Sequence, residues 1–225
     1  MSSPLPAIET SPATAWPASW TDALGDLRFR ALLSAEDWAR LPAAVRRRFS
    51  RKAAAGQTIL FVGRVAETRM TRTGWLAAQL CRLIGGPLPL ERGAGLPSIV
   101  AITEDMCTEG QVWTRIYARR SGFPQVIHSS KRFAGPTGLE EHVGRGVGMT
   151  LRILAEADAL VFRSDRYFVE IAGWRLYFPH WLTPGRLTVR HAPVDETRFL
   201  FSLAIEHPLF GQILQQSILF EEADR

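Results

Sequence analysis

The chain has 225 residues, enough for one large domain or two small ones, and 46% of them are hydrophobic, so a sizeable core can be buried. Charged residues make up 22% and the formal net charge is +5, a composition that argues against disorder and predicts a modestly basic surface. No apolar run approaches the ~18 residues of a membrane span, and two cysteines, Cys81 and Cys107, are too few for a disulfide scaffold.

The basic residues are almost all arginine, because only Lys52 and Lys131 of the 27 are lysine. Arginine suits phosphate and carboxylate recognition, but most of the arginines are scattered, which a GC-rich genome also produces. One cluster stands out, Arg46–Arg48 with Arg51 and Lys52, and on a helix it covers more than half of the circumference. It is either a solvated helix end or a contact surface for nucleic acid or acidic lipid, and no specific nucleic-acid partner is expected. It is also the candidate docking patch for an unknown protein partner.

The first 19 residues are rich in Pro, Ser, Ala and Thr. They lack the basic and then apolar segments of a signal peptide, so we expect a flexible leader at 1–19 and a cytoplasmic location. Neither a linker nor an internal repeat divides the remainder, which predicts a single α+β domain over residues 20–225.

The first elements predicted along the chain are helices. Thr21–Leu33 has leucines at helical spacing, and Ser34 with an acidic first turn is typical of a helix N-cap. Pro42 is a favoured first-turn residue for the next helix. Trp75–Ile84 repeats large apolar residues at helical spacing and ends at a Gly-Gly-Pro breaker.

Most of the remaining chain predicts strands, because apolar residues alternate with polar ones between turn residues every 8–12 positions or so. The predicted strands are Gln57–Glu67, Ser98–Thr103, Gln111–Ala118, Gln125–Phe133, Ala159–Arg163, Tyr167–Ile171, Trp174–Phe178, Leu187–His191, Arg198–Ile205 and Ile213–Phe220. The expected fold is therefore α+β, with short N-terminal helices followed by a large curved antiparallel sheet. Its expected form is a half-open barrel, calycin-like or helix-grip-like.

Three glycines, Gly144, Gly146 and Gly148, precede an apolar segment, Met149–Ala157, and together these mimic a dinucleotide-binding loop. The spacing is G-x-G-x-G, however, and the preceding residues are polar, so a bulged strand is the favoured interpretation. We expect no cofactor. The five histidines lack the spacing of zinc ligands, and no metal site is expected.

The order of several short motifs resembles a bacterial family catalogued as domain of unknown function 4166. The resemblance covers most of the chain from Leu41 onward and is carried by six stretches: Leu41–Arg46, Gly85–Pro89, Trp113–Arg115, Glu141–Gly144, Trp181–Pro184 and His207–Gly211. The family tends to have an acidic residue two positions before the tryptophan of the third stretch, where this chain has Gln111. The resemblance implies no assigned activity, and it favours Glu141 over Glu140 as the acidic residue of the motif.

The most polar part of the predicted sheet joins three consecutive strands. A hairpin centred near Gly122 would place Arg115 roughly opposite His128, and Trp113 roughly opposite Ser130. A second hairpin would bring Lys131 or Arg132 near Glu140 or Glu141, since cross-strand neighbours lie ~5 Å apart. A slip of one residue would exchange the faces, so either glutamate is a candidate for the interior.

This constellation has two interpretations. In the first, Trp113, Arg115, His128, Lys131, Arg132 and Glu141 form a ligand site, with the arginine gripping an anion and the tryptophan walling it. In the second, the same charges form a solvated ladder of salt bridges across the strands. No catalytic residue is assigned.

Three functions follow as hypotheses. The leading one is a module that binds a small amphipathic or lipid-like ligand inside the curved sheet. The second is an enzyme that uses Arg115, His128 and Glu141 for acid–base chemistry on an acidic small molecule. The third is an interaction or scaffold domain that docks through Arg46–Lys52.

Overall fold

The computed structural model describes residues 25–53, 56–156 and 158–223. Within them, three short α-helices accompany eleven strands, and 3-10 turns lie at Arg30–Leu32, Arg82–Ile84 and His180–Leu182. The helices are α1 (Ala35–Arg40), α2 (Ala43–Phe49) and α3 (Arg72–Cys81). The strands are β1 (Ile59–Met70), β2 (Pro97–Asp105), β3 (Gly110–Tyr117), β4 (Gln125–Arg132), β5 (Glu140–Gly144), β6 (Val147–Glu156), β7 (Ala159–Ile171), β8 (Trp174–Tyr177), β9 (Arg186–Pro193), β10 (Arg198–His207) and β11 (Gly211–Glu222).

The strands form a closed barrel of ten, and the molecule is mostly antiparallel β, with 52% of residues in strands. Each strand from β1 to β7 pairs with the next one along the chain, and β9, β10 and β11 continue the wall. Two long-range pairings close the ring: β7 pairs with β9, and the first strand pairs with the last, from Phe61 opposite Glu222 to Met70 opposite Leu214. The barrel is therefore more closed than the half-open form expected from the sequence.

Strand β8 lies outside the ring. The first half of β7 pairs with β9, and its second half, Phe168–Ile171, pairs with β8 as a short hairpin. The sequence predicted two strands separated at 164–166, whereas the structure has one continuous strand of thirteen residues. The strand is long because its two halves have different partners on the same edge.

Alternation along each strand fills the interior. On β10, Phe199, Phe201, Leu203 and Ile205 are buried and the residues between them are less so. The same pattern on the other strands gives one core cluster that the helices extend. The glycine-rich segment follows it too, because Gly144 and Gly146 flank the β5–β6 turn and the predicted strand interpretation of Met149–Glu156 is confirmed.

One end of the barrel is covered by α1 and α2. Ser34 caps α1 by accepting a hydrogen bond from the Asp37 amide at 3.0 Å, as the sequence predicted. Trp38, Val45 and Phe49 are buried beneath the two helices. The helix predicted over Thr21–Leu33 is wrong where the structure describes it, since residues 25–29 are not helical and only a 3-10 turn follows. The predicted leader, residues 1–19, lies outside the described residues.

The opposite end is crossed by α3. The helix begins against β11, where the Thr71 amide donates to the Ile213 carbonyl at 3.0 Å. The 3-10 turn that extends it ends against β5, with Gly85 close to the Val143 carbonyl. Since β11 and β5 lie on opposite sides of the ring, the helical segment spans the barrel end. No helix among the described residues is long and apolar enough to cross a lipid bilayer.

The contact between α3 and β11 depends on the absence of a side chain at Gly74. A Cβ there would lie 2.1 Å from the Ile213 carbonyl oxygen, and backbone cannot move aside easily. Gly→Ala in a helix ordinarily stabilises by about 1 kcal/mol. We expect Gly74→Ala to lower the free energy of unfolding instead, by about 2 kcal/mol, measured by urea denaturation.

Gly25→Ala is the control, because among the described residues other than its chain neighbours the nearest atom to a Cβ at this position is the Ser50 carbonyl oxygen, 3.9 Å away. This variant should change the free energy of unfolding by less than about 0.5 kcal/mol. A stabilising effect of Gly74→Ala would show that α3 is not seated on β11 as described.

Candidate functional site

A cavity of about 50 Å³ lies inside the barrel, between α2 and the sheet. Its wall is largely aromatic and includes Phe49 from α2, Phe162 from β7, and Phe199 and Phe201 from β10. Most ring contacts within the cavity lining are edge to face, with centroids about 5–6 Å apart, which is the arrangement that aromatic quadrupoles favour. The interior is therefore apolar over most of its surface.

One side of the cavity is charged. Glu141 on β5 accepts from Lys131 Nζ at 3.1 Å and from Arg115 Nη2 at 3.2 Å. Arg115 also donates to the Ser129 hydroxyl at 2.6 Å. The three strands β3, β4 and β5 are neighbours, and the register places Lys131 opposite Glu141, so the pleat directs all three charged side chains inward.

The buried charges perturb one another. Burial alone would raise the pKa of Glu141, but the adjacent Lys131 and Arg115 outweigh it and hold the pKa at about 2. Burial lowers the pKa of Lys131, and Arg115 adds to this, while Glu141 opposes it. The Lys131 ammonium also lies 4.5 Å from the centroid of the Trp113 ring, a cation–π contact.

A further cation enters from α2. The Arg48 guanidinium lies 3.7 Å from the centroid of the Phe199 ring and makes no ion pair with any described residue. Its Nη1 is buried without a hydrogen-bond partner in this structure, as is Nε of Arg115. Burial, with Arg47 next to it, lowers the pKa of Arg48 to about 10. Apart from Arg51, which pairs with Glu222, the cavity lining thus holds three cations against the single carboxylate of Glu141.

His191 on β9 completes the polar lining. It is buried among rings, stacked on Phe199 at 5.8 Å and edge-on to Phe201 at 5.3 Å, and its Nδ1 has no hydrogen-bond partner in this structure. Burial, then the charges of Arg48, Lys131 and Arg115, lower the pKa of His191 well below its ordinary value. It is therefore neutral at pH 7, with a free ring nitrogen facing the cavity wall.

The six residues predicted for a ligand site divide between the two faces of the wall. Trp113, Arg115, Lys131 and Glu141 line the cavity. His128 and Arg132 alternate with Lys131 on β4 and therefore point outward, and His128 is exposed beside Thr114. The predicted hairpin register was wrong by one residue, because Arg115 lies opposite Ile127 and Trp113 opposite Ser129.

The two glutamates also divide. Glu141 faces the interior, whereas Glu140 faces outward and is buried under the β7–β8 hairpin. There the Glu140 carboxylate accepts hydrogen bonds from Nη1 and Nη2 of Arg175, at 2.5 and 3.2 Å. His142 Nε2 lies 3.2 Å from the same carboxylate. Glu140 therefore anchors the hairpin to the barrel wall.

Sequence reasoning did not single out Arg48 or His191 as site residues. A signal for His191 was present, because Leu187, Val189 and His191 alternate along a predicted strand and so share its apolar face. Arg48 gave none, since the arginines around it are identical in type. Within the described residues, no group of three His, Cys, Asp or Glu side chains is placed to hold a metal ion.

The family described as domain of unknown function (DUF4166) matches residues 41–220, most of the chain. The chain belongs to this family. Neither the curated proteins nor the solved structures gave a match. The motif stretches Trp113–Arg115 and Glu141–Gly144 supply cavity residues, and Leu41–Arg46 lies in the helical cap. The confirmed membership therefore agrees with the sequence resemblance and assigns no activity.

The neutral state of His191 predicts a pH dependence of stability. An unfolded histidine titrates near pH 6.5, whereas His191 in the folded chain stays neutral below that pH. The unfolded chain therefore binds the extra proton, and the free energy of unfolding falls as pH drops below 6.5, by up to about 1.4 kcal/mol per pH unit. In His191→Phe this contribution is absent, so urea denaturation between about pH 7.5 and pH 5.5 should give a shallower slope.

His128→Gln is the control for this measurement, because His128 is exposed on the outer face. His142, whose pKa is also lowered by burial, remains in both variants and cancels from the comparison. Equal slopes in the wild type and His191→Phe would contradict a buried neutral imidazole.

Removing the Glu141 charge should be costly. Glu141→Gln leaves Lys131 and Arg115 buried without a carboxylate, so we expect the free energy of unfolding to fall by about 3 kcal/mol at pH 7. Glu67→Gln is the matched control, since Glu67 pairs with Arg69 at 2.6 Å on the exposed surface and should cost less than about 1 kcal/mol. Similar losses in both variants, by chemical denaturation, would argue against a desolvated ion cluster.

Proposed function

We propose that the barrel binds a small amphipathic anion in its cavity, with the acidic group among Arg48, Arg115 and His191 and the apolar part against the aromatic wall. The observation that carries the proposal is the charge imbalance of the cavity lining. Apart from the ion-paired Arg51, three buried or half-buried cations stand against one carboxylate inside an apolar enclosure. A buried charge without a partner is unfavourable, and a bound anion supplies the partner.

The unpaired donors support an anionic ligand over a neutral one. Arg48 Nη1 and Arg115 Nε are buried N–H groups without acceptors, and carboxylate or phosphate oxygens are the acceptors that guanidinium groups bind best. Neutral His191 adds either a donor or an acceptor at Nδ1, depending on its tautomer. The tryptophan and phenylalanine rings offer surface for the rest of the molecule.

The cavity volume favours a compact ligand. About 50 Å³ accommodates roughly four water molecules, whereas a cavity of about 150 Å³ is needed for a molecule the size of benzene. A lipid chain does not fit this volume. The small amphipathic form of the ligand hypothesis is therefore supported better than the lipid-like form.

A larger ligand would require α2 to move outward, because Arg48 and Phe49 of this helix line the cavity. It has seven residues, and its inner side is buried against the core. On the outside, Arg47 pairs with Glu196 at 2.9 Å, and Arg51, just after the helix, pairs with Glu222. Surface pairs of this kind contribute about 1 kcal/mol or less. Outward displacement of α2 would enlarge the cavity and expose Arg48 to incoming solute.

The other two hypotheses have less support. Acid–base chemistry by Arg115, His128 and Glu141 requires the three groups in one concave site, and His128 lies on the outer face. A docking patch at 46–52 requires a shared exposed face, whereas Arg48 enters the cavity and Arg47 and Arg51 are engaged in ion pairs with other strands or turns.

The proposal is tested by comparing small acids with their neutral isosteres. Mass spectrometry of the native purified protein first asks whether an organic acid is bound. Calorimetry and thermal shift with acetate and propanoate, against acetamide and propanamide, then measure selectivity, because these molecules match the small cavity volume. The acids should bind and raise the melting temperature, and the amides should not, since they lack the charge that the cations favour.

Arg48→Met should weaken acid binding at least about tenfold, because one buried cation is lost. Without ligand it should melt at the same temperature or higher, because it removes a buried charge that has no ion-pair partner. Arg47→Met is the matched neighbour and should bind like the wild type. Absence of any bound acid, equal binding of amides, or equal effects of the two substitutions would overturn the proposal.

A further inference from the structure

Helix α3 carries its large apolar residues on the side that faces solvent. The face packed on the barrel consists of small residues, Gly74, Ala78 and Cys81. The outer face has Leu76 and Leu80, and Leu83 follows in the adjoining 3-10 turn, with exposed fractions of 54, 59 and 69% in that order. Trp75 lies beside them and is 46% exposed. A surface helix of a globular protein normally has the reverse arrangement, with the apolar stripe toward the core.

Other exposed apolar side chains lie at the same end of the barrel. Strand register places the end of β1, the start of β11, the end of β10 and the start of β9 together there, and the β3–β4 loop joins them. Large apolar side chains project from three of these connections. With α3 they form what we call the apolar rim: Trp75, Leu76, Leu80, Leu83, Phe123, Trp181, Leu182, Leu209 and Phe210.

Contacts within the rim hold two of its loops together. His207 Nε2 lies 3.3 Å from the Trp181 carbonyl, the Phe210 ring stacks on His207 at 4.8 Å, and the Leu209 amide donates to His207 Nδ1 at 3.1 Å. The exposed side chains are therefore presented by ordered turns.

The rim is surrounded by positive charge. The connections at this end, residues 71–96, 118–124, 145–146, 178–185 and 208–210, contain six arginines and one glutamate, Glu91, which pairs with Arg119 at 3.0 Å. The strand turns at the other end, residues 106–109, 133–139, 158 and 194–197, contain four acidic residues and no basic one. The connections at the α3 end therefore have a net charge of +5, which suits an anionic surface; the basic cluster of α2 lies at the other end, where its charge is partly offset by these acidic turns.

We infer that the apolar rim docks on the surface of an anionic lipid bilayer, with α3 lying in the plane of the interface. Tryptophan, phenylalanine and leucine flanked by arginine is the composition of interfacial membrane-binding segments. A fluid bilayer accepts side chains from several separate loops without a complementary shape, which favours it over a protein partner. Arginines near the surface add attraction to anionic lipids. This inference is independent of the ligand proposed for the cavity.

The test is co-sedimentation with vesicles of phosphatidylcholine alone and of phosphatidylcholine with phosphatidylglycerol. Wild-type protein should bind the anionic vesicles, and added salt should weaken binding because it screens the arginines. A double variant, Leu76→Gln with Leu80→Gln, should bind at least about tenfold more weakly, since two apolar side chains no longer enter the interface. Arg72→Glu with Arg82→Glu should abolish the preference for anionic vesicles.

The control pair is Met106→Gln with Val194→Gln, two exposed apolar residues in turns at the other end, which should bind like the wild type. All substituted side chains are exposed, so melting temperatures should stay within a few degrees, and light scattering should show a monomer. Failure to bind either vesicle, or equal loss in the control pair, overturns the inference. So does a dimer that the leucine substitutions dissociate while vesicle binding is unchanged, because the rim would then belong to a second copy of the chain.

Discussion

The interior of this protein depends on backbone hydrogen bonds between strands that are far apart in the chain. Strand β1 pairs with β11 over nine residues of each strand. The second half of β7 pairs with its hairpin partner β8, and the first half pairs with β9. Without these two seams the sheet would have open edges, and water would reach the inward side chains. With them, Glu141, Lys131 and Arg115 are held in an apolar enclosure, where each charge acts strongly on its neighbours. Closure of the barrel therefore encloses these polar strand residues and creates the cavity that they line.

Local pattern predicted the elements of this fold well, and the reasons are visible in particular residues. The Ser34 cap and the alternating strands from β2 to β6 depend on interactions within a few residues or between adjacent strands. The closing seams do not, since Phe61 and Glu222 meet only after the whole chain is assembled. The sequence therefore indicated a curved sheet but could not show that its two edges join.

The site was predicted in part for a related reason. Trp113, Arg115, Lys131 and Glu141 were identified because they lie on consecutive hairpins, where pairing is local. His128 was placed with them because a period of two makes a one-residue error in register equivalent to exchanging faces. His191 and Arg48 reach the cavity from β9 and α2, and their proximity depends on the β7–β9 seam and on the packing of the helical cap. No local sequence pattern indicates that these two side chains lie beside Arg115 and Glu141.

The two ends of the barrel differ in the helix that covers them. The α2 cover is a seven-residue helix that packs on the core through Val45 and Phe49 and is joined to the barrel outside by a surface ion pair. The α3 cover contacts both sides of the barrel, at Ile213 and at Val143, where glycines allow a close approach of the backbones. Because Arg48 and Phe49 of α2 line the cavity, the proposed ligand would enter and leave past this helix. If the protein docks on a bilayer through α3, as proposed, α2 at the opposite end of the barrel faces away from the bilayer and is accessible to dissolved molecules. Such an orientation suits sampling of the aqueous phase beside a membrane better than extraction of molecules from within it.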